Sequence, residues 1–261
     1  MFIFVLKLTL TPVLLGLVSL AGRRWGPTIS GWLIGLPLTS GPITLFLVIS
    51  SGTTFGTATA IGTLAGTIAE IAFCLTYGRL ALRYGWRITL AASWIAYFVL
   101  VAVLQSVTIP LLPLFGLIML SLLGGVRLMT HQFTGKNATA PKLPGWDIPL
   151  RMVVATSFIV IVTGIAPFIG PRLTGLLAPF PLFGSVLAVF AHRLESPQAA
   201  YNVLKGMMLG LFTFASFFFV LALLLEPIGA PLAFLAAIIT ALLVQGFSLW
   251  VLQKRPKPSV A

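Results

Sequence analysis

The sequence predicts an all-α integral membrane protein of about nine transmembrane helices, and three observations predict it. Of 261 residues, 59% are hydrophobic and 8% charged, whereas soluble domains carry about 25% charged residues. The apolar residues stand in long blocks such as 88–126, 152–169 and 207–225, and a helix needs roughly 20 mostly apolar residues to cross a bilayer. Once the blocks are counted as spans, all sixteen basic residues except Lys7 and Arg172 fall in links that belong on one side, as cytoplasmic positives do.

Taken in order, the first span covers 3–21. No cluster of positives precedes it, and Arg23 and Arg24 follow it, so a retained helix is expected in place of a cleaved signal peptide. The next spans are 28–49, 55–77, 88–107 and 110–128; the last begins Pro-rich and carries Gly124-Gly125. After a loop over 129–148 come 149–168, 171–192, 200–225 and 229–251. The chain thus divides into a first unit with a fifth, linking helix (1–128), a cytoplasmic loop (129–148), and a second unit with a basic tail (149–261). The charge asymmetry places the amino terminus outside and the carboxyl terminus in the cytoplasm of a multi-pass protein of the cell membrane, the inner one where a cell has two.

The net charge of +12 does not indicate a nucleic-acid partner, because no basic face exists outside those links. Membrane lipid is the expected partner, and the many apolar faces are compatible with a homo-oligomer. Cys74 is the only cysteine, which excludes an intrachain disulfide. His131 and His192 form no metal motif, and no metal or cofactor is expected.

An internal repeat organises the chain. Gly26-Pro27-Thr28-Ile29-Ser30-Gly31 matches Gly170-Pro171-Arg172-Leu173-Thr174-Gly175 at an offset of 144 residues, without gaps. At the same offset Leu33 falls on Leu177, Pro37 on Pro181, Phe46 on Phe190, and Gly62 and Gly66 on Gly206 and Gly210. The offset spans five helices, an odd number, so the second copy is expected to be turned over in the membrane. Inverted repeats of this kind characterise many secondary transporters.

Pro37 and Pro181 lie roughly ten residues into their spans, near mid-bilayer at 1.5 Å of rise per residue. Proline lacks an amide proton and clashes with the carbonyl four residues back, so the second helix of each unit is expected to break. Backbone groups freed there cannot face lipid. Matched Pro/Gly interruptions point to a transporter's binding site, which makes Pro37, Thr39, Ser40, Gly41, Pro181, Gly184 and Ser185 the candidate substrate-binding residues; a packing kink is the plain alternative. Glu70 is the only acidic residue inside a span. At that depth it must be protonated, paired or wet, which suits a proton-coupling group, although a neutral Glu bonded to neighbouring backbone would serve structure alone. Gly62/Gly66 and Gly206/Gly210 have the spacing that lets helices pack closely, and Arg172 reads as an interfacial arginine at an outer helix end.

The expected function is a small secondary transporter moving a small solute by alternating access, proton-coupled through Glu70. The alternative is a channel-like, lipid-handling or accessory subunit of a larger complex. An enzyme is not expected, because intramembrane chemistry on lipid or peptide needs paired acids, a Ser/His pair or a metal cluster at depth.

Overall fold

The computed structural model describes residues 36–130 and 147–254, together with Thr9, Val13, Leu20, Trp32 and Leu33. Apart from Thr9, Val13 and Leu20, the expected first helix over 3–21 lies outside the described residues, as do most of the loop over 129–148 and the basic tail beyond 254. The described residues form eight helices: α1 (Ser40–Ser51), α2 (Thr53–Leu80), α3 (Trp86–Ser106), α4 (Leu111–Thr130), α5 (Asp147–Leu177), α6 (Leu182–Leu194), α7 (Pro197–Ile228) and α8 (Ala230–Lys254). Six of them, α2, α3, α4, α5, α7 and α8, are long and apolar enough to cross a bilayer. This is the architecture of a multi-pass helical membrane protein.

The helix ends follow local chemistry. Gly52 and Gly229 end α1 and α7 at φ 87° and 78°, a backbone region open to glycine and strained for other residues. Gly170 takes φ 79° inside α5 and kinks it just before Pro171. The boundary expected between spans 149–168 and 171–192 falls at this residue, where the backbone leaves helical geometry, and the stretch that starts at Pro171 is interrupted again over 178–181. The segment over 110–128 forms the full 20-residue α4, with Leu114, Ile118 and Leu122 buried in one row and Leu112 and Leu120 exposed to the outside.

Two helices form the centre. α2 and α7 have most of their length buried and pack on each other; α3 lies against α2 and α8 against α7. A Cβ on Gly56, near the start of α2, would lie 3.0 Å from Leu225 near the end of α7. At the opposite end Gly78 faces Tyr201, so α2 and α7 run antiparallel. α2 and α7 begin at Thr53 and Pro197, and α3 and α8 at Trp86 and Ala230; each pair of starts stands at the same 144-residue offset as the sequence matches.

Three buried threonines of the central helix α2 are satisfied along the helix itself. The hydroxyls of Thr59, Thr63 and Thr67 donate to the carbonyls four residues back, at 2.9, 2.9 and 3.3 Å. This lets threonine sit at membrane depth without an unpaired donor.

Candidate functional site

The two proline breaks adopt the same turn. In the first, the Leu36 amide donates to the Leu33 carbonyl, Leu38 to Leu36 at 2.7 Å, and Gly41 to Pro37. In the second, Phe180 donates to Leu177, Leu182 to Phe180 at 2.7 Å, and Ser185 to Pro181. Each of the three bonds recurs at the 144-residue offset. The bond across each proline closes a three-residue inverse γ-turn, and Pro181 has the matching dihedrals of φ −76° and ψ 55°. The helix resumes immediately after, as α1 and as α6.

Every broken helix leaves carbonyls without amide partners, and in the second break the protein supplies them. Tyr97 Oη of α3 donates to the Leu176 carbonyl at 2.9 Å. Ser40 Oγ, at the start of α1, donates to the Ala178 carbonyl at 2.8 Å. This last bond joins the first break to the second. The breaks meet in the protein interior, and a hydroxyl of one completes the backbone of the other.

The candidate residues then separate by role. Pro37 and Gly41 line an apolar cavity of about 440 Å³ between α1, α7 and α8, with Phe217, Phe234, Ala241 and Leu242 among its walls. Ser40 is buried and engaged with Ala178. Thr39 precedes α1 without making a side-chain cap. On the other side, Pro181 forms the turn, Ser185 Oγ accepts a 3.0 Å bond from Trp94 Nε1, and Gly184 leaves room for Met207. Of the three hydroxyls expected to meet substrate, those of Ser40 and Ser185 have protein partners here.

Glu70 is 6% exposed. It lies on one row of α2 with Gly62 and Gly66, each four residues from the next. A Cβ on Gly62 would lie 2.6 Å from the Arg172 carbonyl, and one on Gly66 2.6 Å from Pro179 Cγ. This glycine row admits the 172–179 segment to backbone contact with α2, the close packing that the spacing predicts. One turn further on, Glu70 is within electrostatic range of Tyr97 and Cys74. Its Oε2 is buried without a hydrogen-bond partner among the described residues. Glu70 thus sits at the edge of the second break, beside the tyrosine that serves it.

Residues not singled out by sequence reasoning complete the surroundings. Phe180 stacks on Phe98 at 5.5 Å and meets Tyr97 edge-on at 5.4 Å, with Trp94 at 5.8 Å and Phe158 at 6.1 Å between ring centroids. Comparing α3 with α8 at the repeat offset would have flagged them, since Trp94, Tyr97 and Phe98 fall on Ile238, Ala241 and Leu242. Arg172 is more than an interfacial cation. Its guanidinium donates to the Leu104 and Val107 carbonyls and to Thr108 Oγ1, the first and last of these at 2.8 and 2.7 Å, and so caps the C-terminal end of α3. Beyond Glu70, Tyr77 Oη lies 3.4 Å from His192 Nδ1. Among the described residues no group of three His, Cys, Asp or Glu side chains could hold a metal ion. No known family, characterised protein or solved structure matches the chain.

Proposed function

We propose that the protein is a small secondary transporter that moves a small solute by alternating access around two inverted units, with Glu70 carrying the coupled proton. The observation that carries this reading is the pair of identical proline turns, 144 residues apart, meeting through Ser40 and Ala178. Discontinuous helices that meet at mid-depth are the parts from which such transporters build their sites. The antiparallel course of α2 and α7 supports the inversion, and nine spans with the amino terminus outside follow from it together with the charge asymmetry. The Ser40–Ala178 bond joins the units, so rocking one unit against the other would break it and open the space between the breaks. Glu70 lies one turn beyond the glycines that contact the second break, and its Oε2 has no hydrogen-bond partner among the described residues. An intramembrane acid with no cationic partner can hold a proton in one conformation and release it when water reaches it in the other.

The test uses purified protein in liposomes loaded with a pH-sensitive dye, to which solutes are added one class at a time. At least one solute is expected to drive acidification of the lumen, and Glu70→Gln, folded to the same extent, is expected to lose the proton signal. Unchanged proton flux in Glu70→Gln would remove the coupling role. The second reading, a channel-like, lipid-handling or accessory subunit, draws on the apolar cavity beside Pro37, and stable co-purification with one partner would favour it.

A further inference from the structure

The two breaks share a turn but differ in what surrounds it. At the second break, the space beside the turn is filled by Phe180 together with Trp94, Tyr97 and Phe98. At the repeat offset these positions are Leu36, Ile238, Ala241 and Leu242, and all four line the 440 Å³ cavity at the first break. A buried aromatic side chain covers 150–250 Å², so exchanging three or four of them for Leu, Ile and Ala leaves space the backbone does not close. The cavity lies where one unit carries smaller aliphatic side chains in place of the other's aromatic ones.

Its position and chemistry define its occupant. Ile238 and Leu242 lie in the middle of α8, Phe217 in the middle of α7, and the cavity opens sideways past Ile238 and Leu242, which are 47% and 65% exposed. Mid-depth outside a membrane helix is hydrocarbon. Among the described residues that line it, none carries a polar side chain, and Pro37 has no amide proton to offer, so a polar solute would lose its hydrogen bonds without replacement. An empty cavity would forfeit the dispersion contacts of its walls. The volume lies within the range of small-molecule sites. We propose that this cavity is a binding site for the acyl chain of a bilayer phospholipid, entering laterally between α1 and α8 and lying against the Pro37 turn. This goes beyond the transport reading and does not depend on it.

The test reconstitutes the full chain in phosphatidylethanolamine/phosphatidylglycerol vesicles containing a phospholipid with a mid-chain diazirine, and maps the adducts by peptide mass spectrometry. Adducts on 36–45 and 234–242 are expected to exceed several-fold those on the exposed face of α4 around Leu112 and Leu120, which reports contact with bulk lipid. Ala241→Phe, which refills the cavity, is expected to bring labelling down to the α4 level, with Leu112→Phe leaving it unchanged. Where Ala241→Phe fails to fold, Leu36→Phe, which installs the residue of the other break, replaces it. Labelling no higher than on α4, or undiminished in a folded cavity-filling variant, would overturn the proposal. A crosslink from Leu242→Cys to the 3–21 segment, or to a second copy, would overturn it too, by giving the cavity to protein. Solute-driven proton flux could fail in the same vesicles while the lipid adducts persist, which separates this proposal from the transport reading.

Discussion

Ser40 Oγ and the Ala178 carbonyl, 138 residues apart in the chain, share a 2.8 Å hydrogen bond that is the only side-chain bond described between the two proline breaks. The acceptor has no amide partner because Leu182, four residues on, donates to Phe180 instead. Ser40→Ala should therefore leave a buried carbonyl unpaired, a loss of about 1–3 kcal/mol. Ser40→Thr keeps the hydroxyl and should recover most of it. Thermal unfolding in detergent would check both, and an unchanged midpoint for Ser40→Ala would show that the bond contributes nothing to holding the breaks together.

The glycines make a second, sharper contrast. Gly62 and Gly175 lie against each other's backbone; a Cβ on Gly175 would meet the Gly62 Cα at 2.8 Å, and one on Gly62 the Arg172 carbonyl at 2.6 Å. Neither obstacle is a flexible side-chain end. Gly62→Ala or Gly175→Ala should force α2 and the 172–179 segment apart and destabilise by about 1–3 kcal/mol. Gly116 and Gly164 have nothing within 4 Å of the same atom, and Gly→Ala there should be neutral or stabilising by up to about 1 kcal/mol. Equal melting shifts for the two pairs would contradict the backbone contact.

Much of this was legible in the sequence, and the reason is physical. A bilayer obliges each span to be apolar, helical and about one membrane thick, so five of the six long helices, and α5 up to Gly170, stand within a few residues of their expected positions. Proline removes a donor wherever it falls, so the breaks at Pro37 and Pro181 were visible as well. What hydropathy could not supply was partnership. Nothing local to Ser40 names Ala178, nothing local to Ser185 names Trp94, and Arg172 gives no sign that its guanidinium closes the end of α3. Those pairs depend on how helices far apart in the chain pack. Gly170 was legible too: a glycine before a proline reads as a link between helices, and Gly170 leaves helical geometry there at φ 79°. The row from Gly62 through Gly66 to Glu70 lies between these cases, since its spacing was legible while the segment it admits was not.

The proposed inversion of the two units makes a prediction about sidedness. Arg83 and Glu226 are exposed residues just past the end of α2 and near the end of α7, the two central helices that begin 144 residues apart and run antiparallel. If the units are inverted, these equivalent ends lie on opposite faces, with Arg83 among the cytoplasmic positives and Glu226 outside. Single cysteines should report this directly once Cys74, buried in α2, is replaced by alanine. On intact cells a membrane-impermeant maleimide should label Glu226→Cys and reach Arg83→Cys only after permeabilisation. Labelling of both from the same side would make the duplication parallel, and alternating access would then lose its structural ground even with both proline turns in place. Labelling from the reversed sides would keep the inversion and overturn only the orientation, which rests on charge placement alone.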